Sequence, residues 1–476
     1  MKSNLRKTKI VGTIGPASES EEMLTKLVNA GLNVTRINFS HGGYEENGEK
    51  IETIKKVREK LGKPVALLLD TKGPEIRTGK FEPNKVELTA GSDFTIFAGG
   101  DVVGDTTKCS VTYAGLSNDV KPGNTILIDD GLVGLEVKSV EGNAIKCVVK
   151  NTGLVGTHKG VNVPGVSIQL PALTEKDEAD LIFGCQQEVD LVAASFIRKA
   201  SDVEHIRKVL VENGGEHIQI FSKIENQEGL DNLDEILEAS DGIMVARGDL
   251  GVEIPMQEVP AAQKLMIRKC NEAGKPVITA TQMLDSMMRN PRPTRAEVSD
   301  VTNAILDGTD AIMLSGESAN GSWPVEAVQA MATIATESEK LLNYELAESK
   351  AKNHIPAISG VISRAACNAA NELNASAIIS VTQTGATARR ISQSRPQCPV
   401  VAVTPCEKVA RKLALSFGVY PVVVKSMNSH KEIMEDSVNY AKEAGFVNAG
   451  ETVVIAAGIP ADKAGSTNVL KVSEVK

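Results

Sequence analysis

Polar side chains follow six short apolar runs of this 476-residue sequence, each at the point where the run ends. One such set alone is often a surface ion pair, whereas six sets brought to one end of a fold indicate a functional site. Alternate residues of an extended chain share a face, so Lys223 and Glu225 are expected to point together. The sets are Arg36, Asn38, Ser40 and His41; Asp70 and Thr71; Lys223 and Glu225; Gly248 and Asp249; Thr281; and Ser315 and Glu317.

The residue types in these sets suit phosphoryl transfer. Glu225 and Asp249 supply the carboxylate oxygens that Mg²⁺ (or Mn²⁺) prefers, and they leave room for water and substrate oxygens. Cations suited to phosphate are supplied by Arg36, Arg77, Lys159 and Lys223. Because phosphoryl transfer is catalysed by positioning and charge neutralisation, it requires both kinds of group. The motifs GxxxxGK[ST], GxGxxGxV and HExxH are absent, which excludes the usual P-loop, protein-kinase and zinc-protease solutions.

Eight β-branched, apolar runs alternate with amphipathic segments over the first three quarters of the chain. This alternation predicts parallel strands joined by helices, and eight repeats predict a TIM barrel. TIM-barrel chemistry lies at the carboxyl ends of the strands, where the polar sets fall. The eight runs are KIVGTI, NVTRINF, VALLLD, DLVAASF, IQIFSKIE, GIMVARGD, PVITATQ and AIMLSGE.

Two further regions interrupt or follow the barrel pattern. Between about residues 75 and 170 the helical period gives way to short alternating stretches separated by turn residues, which predicts an inserted all-β domain after the third barrel strand. From about residue 351 onward, four strand-like runs alternate with helices, as in a small open α/β sheet. The predicted fold is therefore an α/β TIM barrel (1–74 and 171–350) with an inserted β-barrel lid domain (75–170) and a C-terminal open-sheet domain (351–476).

Composition excludes several functional classes. The sequence has 52 Lys plus Arg and 61 Asp plus Glu, a net charge of −9, and only 3% aromatic residues, which argues against a nucleic-acid partner. Seven cysteines without any CxxC favour reduced thiols over a disulfide framework. No apolar run approaches the roughly 20 residues that span a bilayer. We expect a cytoplasmic protein with neither a nucleic-acid nor a membrane partner.

The loop Thr382–Thr387 of the C-terminal region joins a strand to a helix. Its hydroxyls and backbone N–H groups at a helix N-terminus could bind an anion, although helix capping alone is the more common explanation of such a run. Gly248 has two readings as well, because its neighbouring N–H groups could bind a carboxylate or phosphate or could simply form a tight turn.

At these residues the sequence closely resembles the pyruvate kinase family, over essentially the whole chain. The resemblance implies the reaction of phosphoenolpyruvate with ADP to give pyruvate and ATP in glycolysis, with Mg²⁺ and K⁺ as cofactors. It also implies a homotetramer, and a chain without the extra C-terminal segment of some bacterial members. The matching runs are TRINFSHG, LLDTKGPEIRTG, KGVNVPG, SKIENQEGL, MVARGDLGVEIP, TATQMLDSM, NPRPTRAEVSDV and MLSGESA.

The resemblance implies a role for each polar set. Lys223 would stabilise the transferring phosphoryl group and the developing enolate, and Glu225 and Asp249 would ligate Mg²⁺. Thr281 and Ser315 would end a water-linked route that protonates the enolate. The implied catalytic residues are Lys223, Arg36, Thr281 and Ser315, and the implied substrate-binding residues are Arg36, Lys223, Gly248, Asp249 and Thr281.

Nucleotide, potassium and effector sites are implied in the same way. Glu75 matches family members that need K⁺, since K⁺-independent members carry a lysine there. A phosphorylated sugar is the implied effector, with Ala386 standing where many members have a basic residue and the loop Ala464–Thr467 closing over the ligand. The implied nucleotide-binding residues are Arg36, Asn38, His41, Arg77 and Lys159; the K⁺ ligands are Asn38, Ser40, Asp70 and Thr71; the effector-binding residues are Thr382, Thr384, Gly385 and Thr387.

Two other functions remain open at this point. A barrel-strand lysine such as Lys223 could form a Schiff base in an aldolase, although Glu225 beside it would keep it charged and non-nucleophilic. A non-catalytic phosphometabolite sensor could use the C-terminal domain alone, although the intact polar sets argue against it.

Overall fold

The computed structural model describes residues 5–344, 357–427, 429, 431–459 and 467–476. Its largest sheet is a closed barrel of eight parallel strands, and each strand falls within one of the eight predicted runs. The predicted TIM barrel is therefore confirmed. The strands, in order around the barrel, are β1 Lys9–Thr13, β2 Val34–Asn38, β3 Ala66–Asp70, β13 Leu191–Ala194, β14 Gln219–Ile224, β15 Gly242–Ala246, β16 Val277–Ala280 and β17 Ala311–Leu314.

The two-residue period of the strands fills the barrel and places the polar sets above its filling. Leu68 and Phe221 belong to the apolar cluster of the barrel interior. Asp70 and Lys223 stand two residues further along the same strands, so they share the inward face. The apolar packing thus ends one layer below the carboxyl ends of the strands, and the polar site lies at those ends.

An inserted β structure follows β3. Seven of its strands form one mixed sheet in the order β4-β12-β8-β9-β10-β6-β7, and β5 pairs with β11. Their side chains enclose a separate apolar core that includes Phe81, Phe94 and Leu135. The strands are β4 Ile76–Arg77, β5 Lys85–Leu88, β6 Asp93–Ala98, β7 Lys108–Val111, β8 Thr125–Ile128, β9 Val133–Glu141, β10 Ala144–Val149, β11 Gly153–Gly156 and β12 Gly160–Asn162, with one short helix, α3 Leu116–Asp119.

Helices cover the outside of the barrel. In the part of the chain that the structure describes, no helix is long and apolar enough to cross a membrane. The helices are α1 Glu21–Ala30, α2 Tyr44–Leu61, α4 Glu175–Gln186, α5 Ala200–Glu212, α6 Gln227–Asp231, α7 Leu233–Ala239, α8 Arg247–Glu253, α9 Val259–Ala273, α10 Arg295–Asp307, α11 Gly316–Ala319 and α12 Pro324–Ser338, with 3₁₀ turns at Met256–Glu258, Asp285–Met288 and Glu339–Leu341.

The C-terminal region is an open sheet of five strands, ordered β20-β19-β18-β21-β22. Four parallel strands match the predicted runs, whereas the antiparallel edge strand β22 was not predicted. Its side chains are mostly not buried, so its sequence lacks the apolar signal of a central strand. The elements are α13 Ile358–Glu372, β18 Ala377–Val381, α14 Ala386–Gln393, β19 Val400–Thr404, α15 Glu407–Leu413, β20 Val419–Val423, a π-helical turn Glu432–Asp436, α16 Ser437–Glu443, β21 Thr452–Gly458 and β22 Thr467–Glu474.

The C-terminal region closes the amino-terminal end of the barrel. Ala414 and Leu415 pack into the same apolar cluster as the barrel interior. Around them, Arg411 pairs with Asp190 at 2.8 Å and Arg395 pairs with Asp310 at 3.1 Å. The predicted limits of the inserted domain at 74/75 and 170/171 stay predictions, and the limit at 350/351 lies outside the described residues.

A buried lysine at this junction makes the stability depend on pH. Lys9 donates to the Val419 carbonyl at 2.6 Å and lies over the Tyr420 ring. Burial, helped by the charge of Arg6, lowers the pKa of Lys9 to about 7. Between pH 7 and pH 10 the unfolded chain holds a proton that the folded chain has lost, so this group adds stability as pH rises, by at most about 1.4 kcal/mol per pH unit.

We therefore expect the melting temperature of the native chain to rise relative to that of Lys9→Met between pH 7 and pH 9. The exposed-lysine variant Lys26→Met is the matched control and should show no such trend. Thermal melts at pH 7, 8 and 9 measure the difference. A constant difference between the native chain and Lys9→Met across this range would contradict the prediction.

Candidate active site

Lys223 lies at the centre of the polar layer at the carboxyl ends of the barrel strands. Its Nζ atom is 3.2 Å from Asp70 Oδ1, 2.9 Å from Glu225 Oε1 and 2.7 Å from Ser195 Oγ. Burial alone would lower the pKa of Lys223, but Asp70 and Glu225 outweigh it and raise the pKa above its ordinary value. The ammonium group therefore stays charged at neutral pH, which disfavours the Schiff-base alternative.

Asp70 holds two cations in place. Its Oδ2 accepts from Arg36 Nε at 2.6 Å, while Oδ1 faces Lys223. A second nitrogen of Arg36 donates to Thr13 Oγ1 at 2.8 Å. Burial would raise the pKa of Asp70, yet the two cations outweigh it and hold the pKa below the usual range. The arginine and the lysine are thereby fixed side by side on one carboxylate.

Glu225 and Asp249 form a pair of carboxylates beside Lys223. Burial, only partly offset by Lys223, raises the pKa of Glu225 to about 7, and burial likewise raises the pKa of Asp249. Glu225 Oε2 accepts from the Phe196 N–H at 2.6 Å. Its Oε1 is buried and accepts no hydrogen bond from any described residue, although Lys223 Nζ lies near it.

This pair fits a divalent cation. Two neighbouring buried carboxylates that both resist ionisation form an arrangement that a divalent ion would stabilise. Among the described residues no group of three or more His, Cys, Asp or Glu side chains could hold a metal ion. Two protein carboxylates leave the remaining coordination positions to water and substrate oxygens, as Mg²⁺ requires.

Thr281 stands on a constrained turn after β16. Its φ is +69° and that of Gln282 is +54°, a left-handed conformation that side chains rarely adopt. The Arg247 guanidinium holds the turn by donating to the Thr281 carbonyl at 2.7 Å and pairing with Asp300 at 2.7 Å. The Gly248 N–H donates to Thr281 Oγ1 at 2.7 Å. The Gly248 N–H is therefore already engaged, and Gly248 lies in the first turn of α8 (Arg247–Glu253) and not in a tight turn.

Ser315 follows β17 and is tied to the same turn. Its N–H donates to Glu317 Oε2 at 2.8 Å, and Glu317 Oε1 accepts from the Leu284 N–H at 3.1 Å. Buried Glu317 therefore fixes the distance between the loops that carry Thr281 and Ser315. It acts here through backbone contacts, not as a free carboxylate at the rim.

The residues expected to bind K⁺ lie together at the ends of β2 and β3. Asn38 is the register partner of Asp70 across these strands, and its Oδ1 accepts from the Ser40 N–H at 3.1 Å. Thr71 follows directly and its Oγ1 accepts from the Ser195 N–H at 3.1 Å. Their oxygens are of the hard type that alkali cations accept.

A cleft of about 570 Å³ separates the inserted sheet from the barrel rim, and Arg77, Lys159 and Asp249 line it. Lys159 Nζ pairs with Asp129 at 2.9 Å, and Arg77 pairs with Glu75 at 2.7 Å. The structure thus brings the two predicted cations of the insertion to the same cleft as a predicted metal ligand. The predicted nucleotide residue His41 is exposed on the loop after β2.

Two residues around the site were given no role from the sequence. Ser195 accepts from Lys223 and donates to the Thr71 carbonyl at 2.6 Å, and Arg247 holds Thr281. Ser195 directly follows the fourth strand, so the same rule of polar residues after strands would have found it. Arg247 directly follows β15 and was recognised as a polar residue at the end of that strand, but its partner carbonyl is fixed only by the fold.

Comparison with known proteins decides the family. A family model described as pyruvate kinase, barrel domain, matches residues 5–328, and one described as pyruvate kinase, alpha/beta domain, matches residues 360–473. The pyruvate kinase of Clostridium acetobutylicum is 64% identical over 474 residues, which cover 99% of this chain and 100% of that protein.

The chain belongs to the pyruvate kinase family. The pyruvate kinase of Clostridium perfringens is 52% identical over the same shares of both chains, and that of Bacillus licheniformis is 55% identical over 98% of this chain and 80% of its own. Membership makes this chain a phosphotransferase, and the aldolase and sensor readings receive no support. The predicted family, fold class and enzyme class are therefore confirmed.

The loop Thr382–Thr387 has the form of a capped helix start. Gly385, with φ +83°, donates its N–H to Thr382 Oγ1 at 2.9 Å just before α14. The hydroxyl groups of Thr387 and Thr467 are 2.6 Å apart, while Thr384 is exposed. The loop residues 464–466, which the resemblance places over the ligand, lie outside the described residues.

Proposed function

We propose that this chain transfers the phosphoryl group of phosphoenolpyruvate to ADP, giving pyruvate and ATP. The main observation in support of this proposal is the position of the Lys223 ammonium group. It lies 3.2 Å from the Asp70 carboxylate and 2.9 Å from the Glu225 carboxylate at the barrel rim. In the reaction an oxygen of the ADP β-phosphate attacks phosphorus, the bond from phosphorus to the enol oxygen breaks, and a proton is added to the methylene carbon of the enolate.

The charge of the rim supports a requirement for a divalent ion. Burial raises the pKa values of Glu225 and Asp249, so their charged forms are unfavourable without a cation. When the carboxylates of Asp70, Glu225 and Asp249 are all ionised, as metal binding requires, they outnumber the two cations Arg36 and Lys223 and the centre carries one excess negative charge. Such a centre repels an anionic substrate. Bound at Glu225 and Asp249, Mg²⁺ (or Mn²⁺) would supply positive charge that reverses this balance and neutralises the phosphoryl oxygens.

Arg36 and Lys223 then bind the phosphoryl group, since both pair with Asp70 at the rim. Lys223 also faces the position where the enolate oxygen develops negative charge, so it stabilises the leaving group. Gly248 and Asp249, in the first turn of α8, position the substrate. Thr281 and Ser315, held relative to each other by Glu317, end the water-linked route that delivers the proton.

The nucleotide is proposed to lie in the cleft under the inserted domain. Arg77 and Lys159 approach its phosphates from the insertion, and Arg36, Asn38 and His41 from the barrel. Closure of the insertion excludes water, so that the phosphoryl group passes to ADP and not to solvent. Asn38, Ser40, Asp70 and Thr71 are proposed to hold K⁺, in keeping with Glu75 at the position where a lysine would replace that ion.

A coupled assay of ADP-dependent pyruvate formation tests this function. The rate should require both ADP and phosphoenolpyruvate, fall to background when Mg²⁺ is removed and rise when K⁺ is added. Absence of pyruvate formation with both cations present would overturn the proposal. An unchanged rate without K⁺ would overturn the K⁺ site alone.

Activation by a phosphorylated sugar is proposed for the C-terminal loop. The exposed Thr384 and the hydroxyl pair Thr387 and Thr467 surround the start of α14, where backbone N–H groups favour an anion. We expect a sugar phosphate to lower the half-saturating concentration of phosphoenolpyruvate, and Thr384→Ala to raise the activator concentration needed. Saturation curves measured across a panel of sugar phosphates check this, and curves that do not change would contradict it.

The homotetramer and the cytoplasmic location stay predictions from the resemblance. Sedimentation of the purified chain measures the first, and a monomer at micromolar concentration would contradict it.

A further inference from the structure

The inserted domain contacts the barrel next to the proposed metal ligands, on helix α8 (Arg247–Glu253). Asn162, the last residue of β12, donates from Nδ2 to Glu253 Oε1 at 2.7 Å. Glu253 is the last residue of α8 and lies four residues after Asp249, so the two carboxylates share one face of the helix. Both also line the cleft described above.

A second part of the insertion approaches the same helix. The turn Asp129–Gly131 has three consecutive residues with φ of +56°, +53° and +84°. A methyl carbon of Val252 lies 3.9 Å from the position that a Cβ atom at Gly131 would occupy, so the turn sits directly against α8.

The turn and Asn162 belong to one rigid piece. The Asp129 N–H donates to the Gly160 carbonyl of β12 at 2.9 Å, and the Asp129 carboxylate pairs with Lys159. Any movement of the insertion away from the barrel therefore breaks the contact with Glu253 and moves Lys159 at the same time. The Asn162–Glu253 hydrogen bond therefore links the position of Lys159, a proposed nucleotide-binding residue, to the end of α8.

We propose that the Asn162–Glu253 hydrogen bond is a latch that couples closure of the inserted domain to the placement of Asp249 on α8. Asn162 and Glu253 are positioning residues, because they act through α8 and not on the substrates. With the insertion closed, the partly buried Glu253 carboxylate has its donor and the last turn of α8 is fixed. With the insertion open, the Glu253 carboxylate loses its donor and α8 loses the contact. Asp249 is therefore fully positioned only when the inserted domain is closed.

This inference rests on the proposed function only where it concerns ADP, so its first test uses no substrate. Hydrogen–deuterium exchange of the protein without substrates or metal reports on the backbone amides of residues 250–254. Asn162→Ala, a change outside α8, should raise their exchange rate by roughly tenfold, the scale of one lost hydrogen bond to a charged group. Asn162→Asp should raise it further, because two carboxylates then face each other.

A charge-conserving swap provides the rescue. The double variant Asn162→Asp with Glu253→Gln places an amide donor opposite a carboxylate again, with the two partners exchanged. Its α8 exchange should return to within about twofold of the native rate. Asn118→Ala, at an exposed asparagine of the same domain, is the matched control and should leave α8 exchange unchanged.

The kinetic test separates positioning from a general folding defect. Because the insertion carries Arg77 and Lys159, Asn162→Ala should raise the KM for ADP by roughly tenfold and that for phosphoenolpyruvate by less than about twofold. Equal α8 exchange in the native chain and in both Asn162 variants, or a double variant as impaired as Asn162→Asp, would overturn the latch. A native chain that makes no pyruvate would instead overturn the proposed function, while the exchange result would stand.

Discussion

Replacing Lys223 with methionine should lower kcat by roughly a thousandfold or more. The side chain keeps most of its length and its apolar stem, but it loses the positive charge that we propose stabilises the transferring phosphoryl group and the enolate oxygen. Arg36 and the carboxylates of Glu225 and Asp249 remain, so Mg²⁺-dependent binding of phosphoenolpyruvate should be largely retained. Steady-state kinetics of pyruvate formation give kcat, and quenching or calorimetric titration gives binding.

Two checks protect this interpretation. Lys208→Met removes a lysine whose side chain is 71% exposed on α5, and it should leave kcat unchanged. A thermal melt of Lys223→Met checks that the protein is folded. We expect it to be folded because Asp70 keeps Arg36 as its partner. A kcat near that of the native chain in folded Lys223→Met would refute the proposed role of the ammonium group.

Glu225→Gln should raise the Mg²⁺ concentration for half-maximal activity by at least about a hundredfold. The amide keeps the shape of the side chain and an acceptor for the Phe196 N–H, but it removes one of the two charges that hold the ion. It also relieves the repulsion between Glu225 and Asp249, so the metal-free protein should be no less stable than the native chain. The metal requirement is measured by titrating Mg²⁺ at saturating substrates.

A direct measurement separates metal affinity from catalysis. Electron paramagnetic resonance of free Mn²⁺ without substrates should show weaker binding to Glu225→Gln than to the native chain. Glu204→Gln, at an exposed glutamate of α5, is the matched control and should bind Mn²⁺ like the native chain. An unchanged Mn²⁺ affinity in Glu225→Gln would exclude this carboxylate as a ligand.

The strand pattern predicted most of the site because the same period governs both packing and chemistry. Asp70 and Lys223 were expected on one rim because each falls where an apolar run of the predicted barrel ends, and the structure joins them at 3.2 Å. The types of the residues on this rim then predicted phosphoryl transfer assisted by cations. These inferences require only strand direction and alternation, which apolar runs encode locally.

The contacts that depend on backbone detail could not be predicted in this way. Phe196 and Thr281 both have positive φ, +55° and +69°, although neither is a glycine. In those turns the chain presents the Phe196 N–H to Glu225 and the Thr281 carbonyl to Arg247. Such conformations are stabilised by the surrounding tertiary structure and leave no periodic signal in the sequence.

Edge strand β22 shows the same limit at the level of the fold. Alternation is weak in TNVLKVSE because most of its side chains are only partly buried, and the consecutive residues Val469 and Leu470 pack against two different apolar clusters. Its pairing with β21 is determined by the open edge of the sheet and not by local propensity. The prediction therefore ended one strand too early.

Because Ala414 and Leu415 pack under the barrel, part of the hydrophobic core of the barrel is supplied by the C-terminal region. Removing the C-terminal sheet would leave an apolar hole at the base of the eight strands and strip the partners from Asp190 and Asp310. The barrel expressed alone should therefore aggregate or fail to fold. A ligand that stiffens the C-terminal sheet can also alter the rigidity of the strands that lead to Lys223 and Thr281, without contacting either residue.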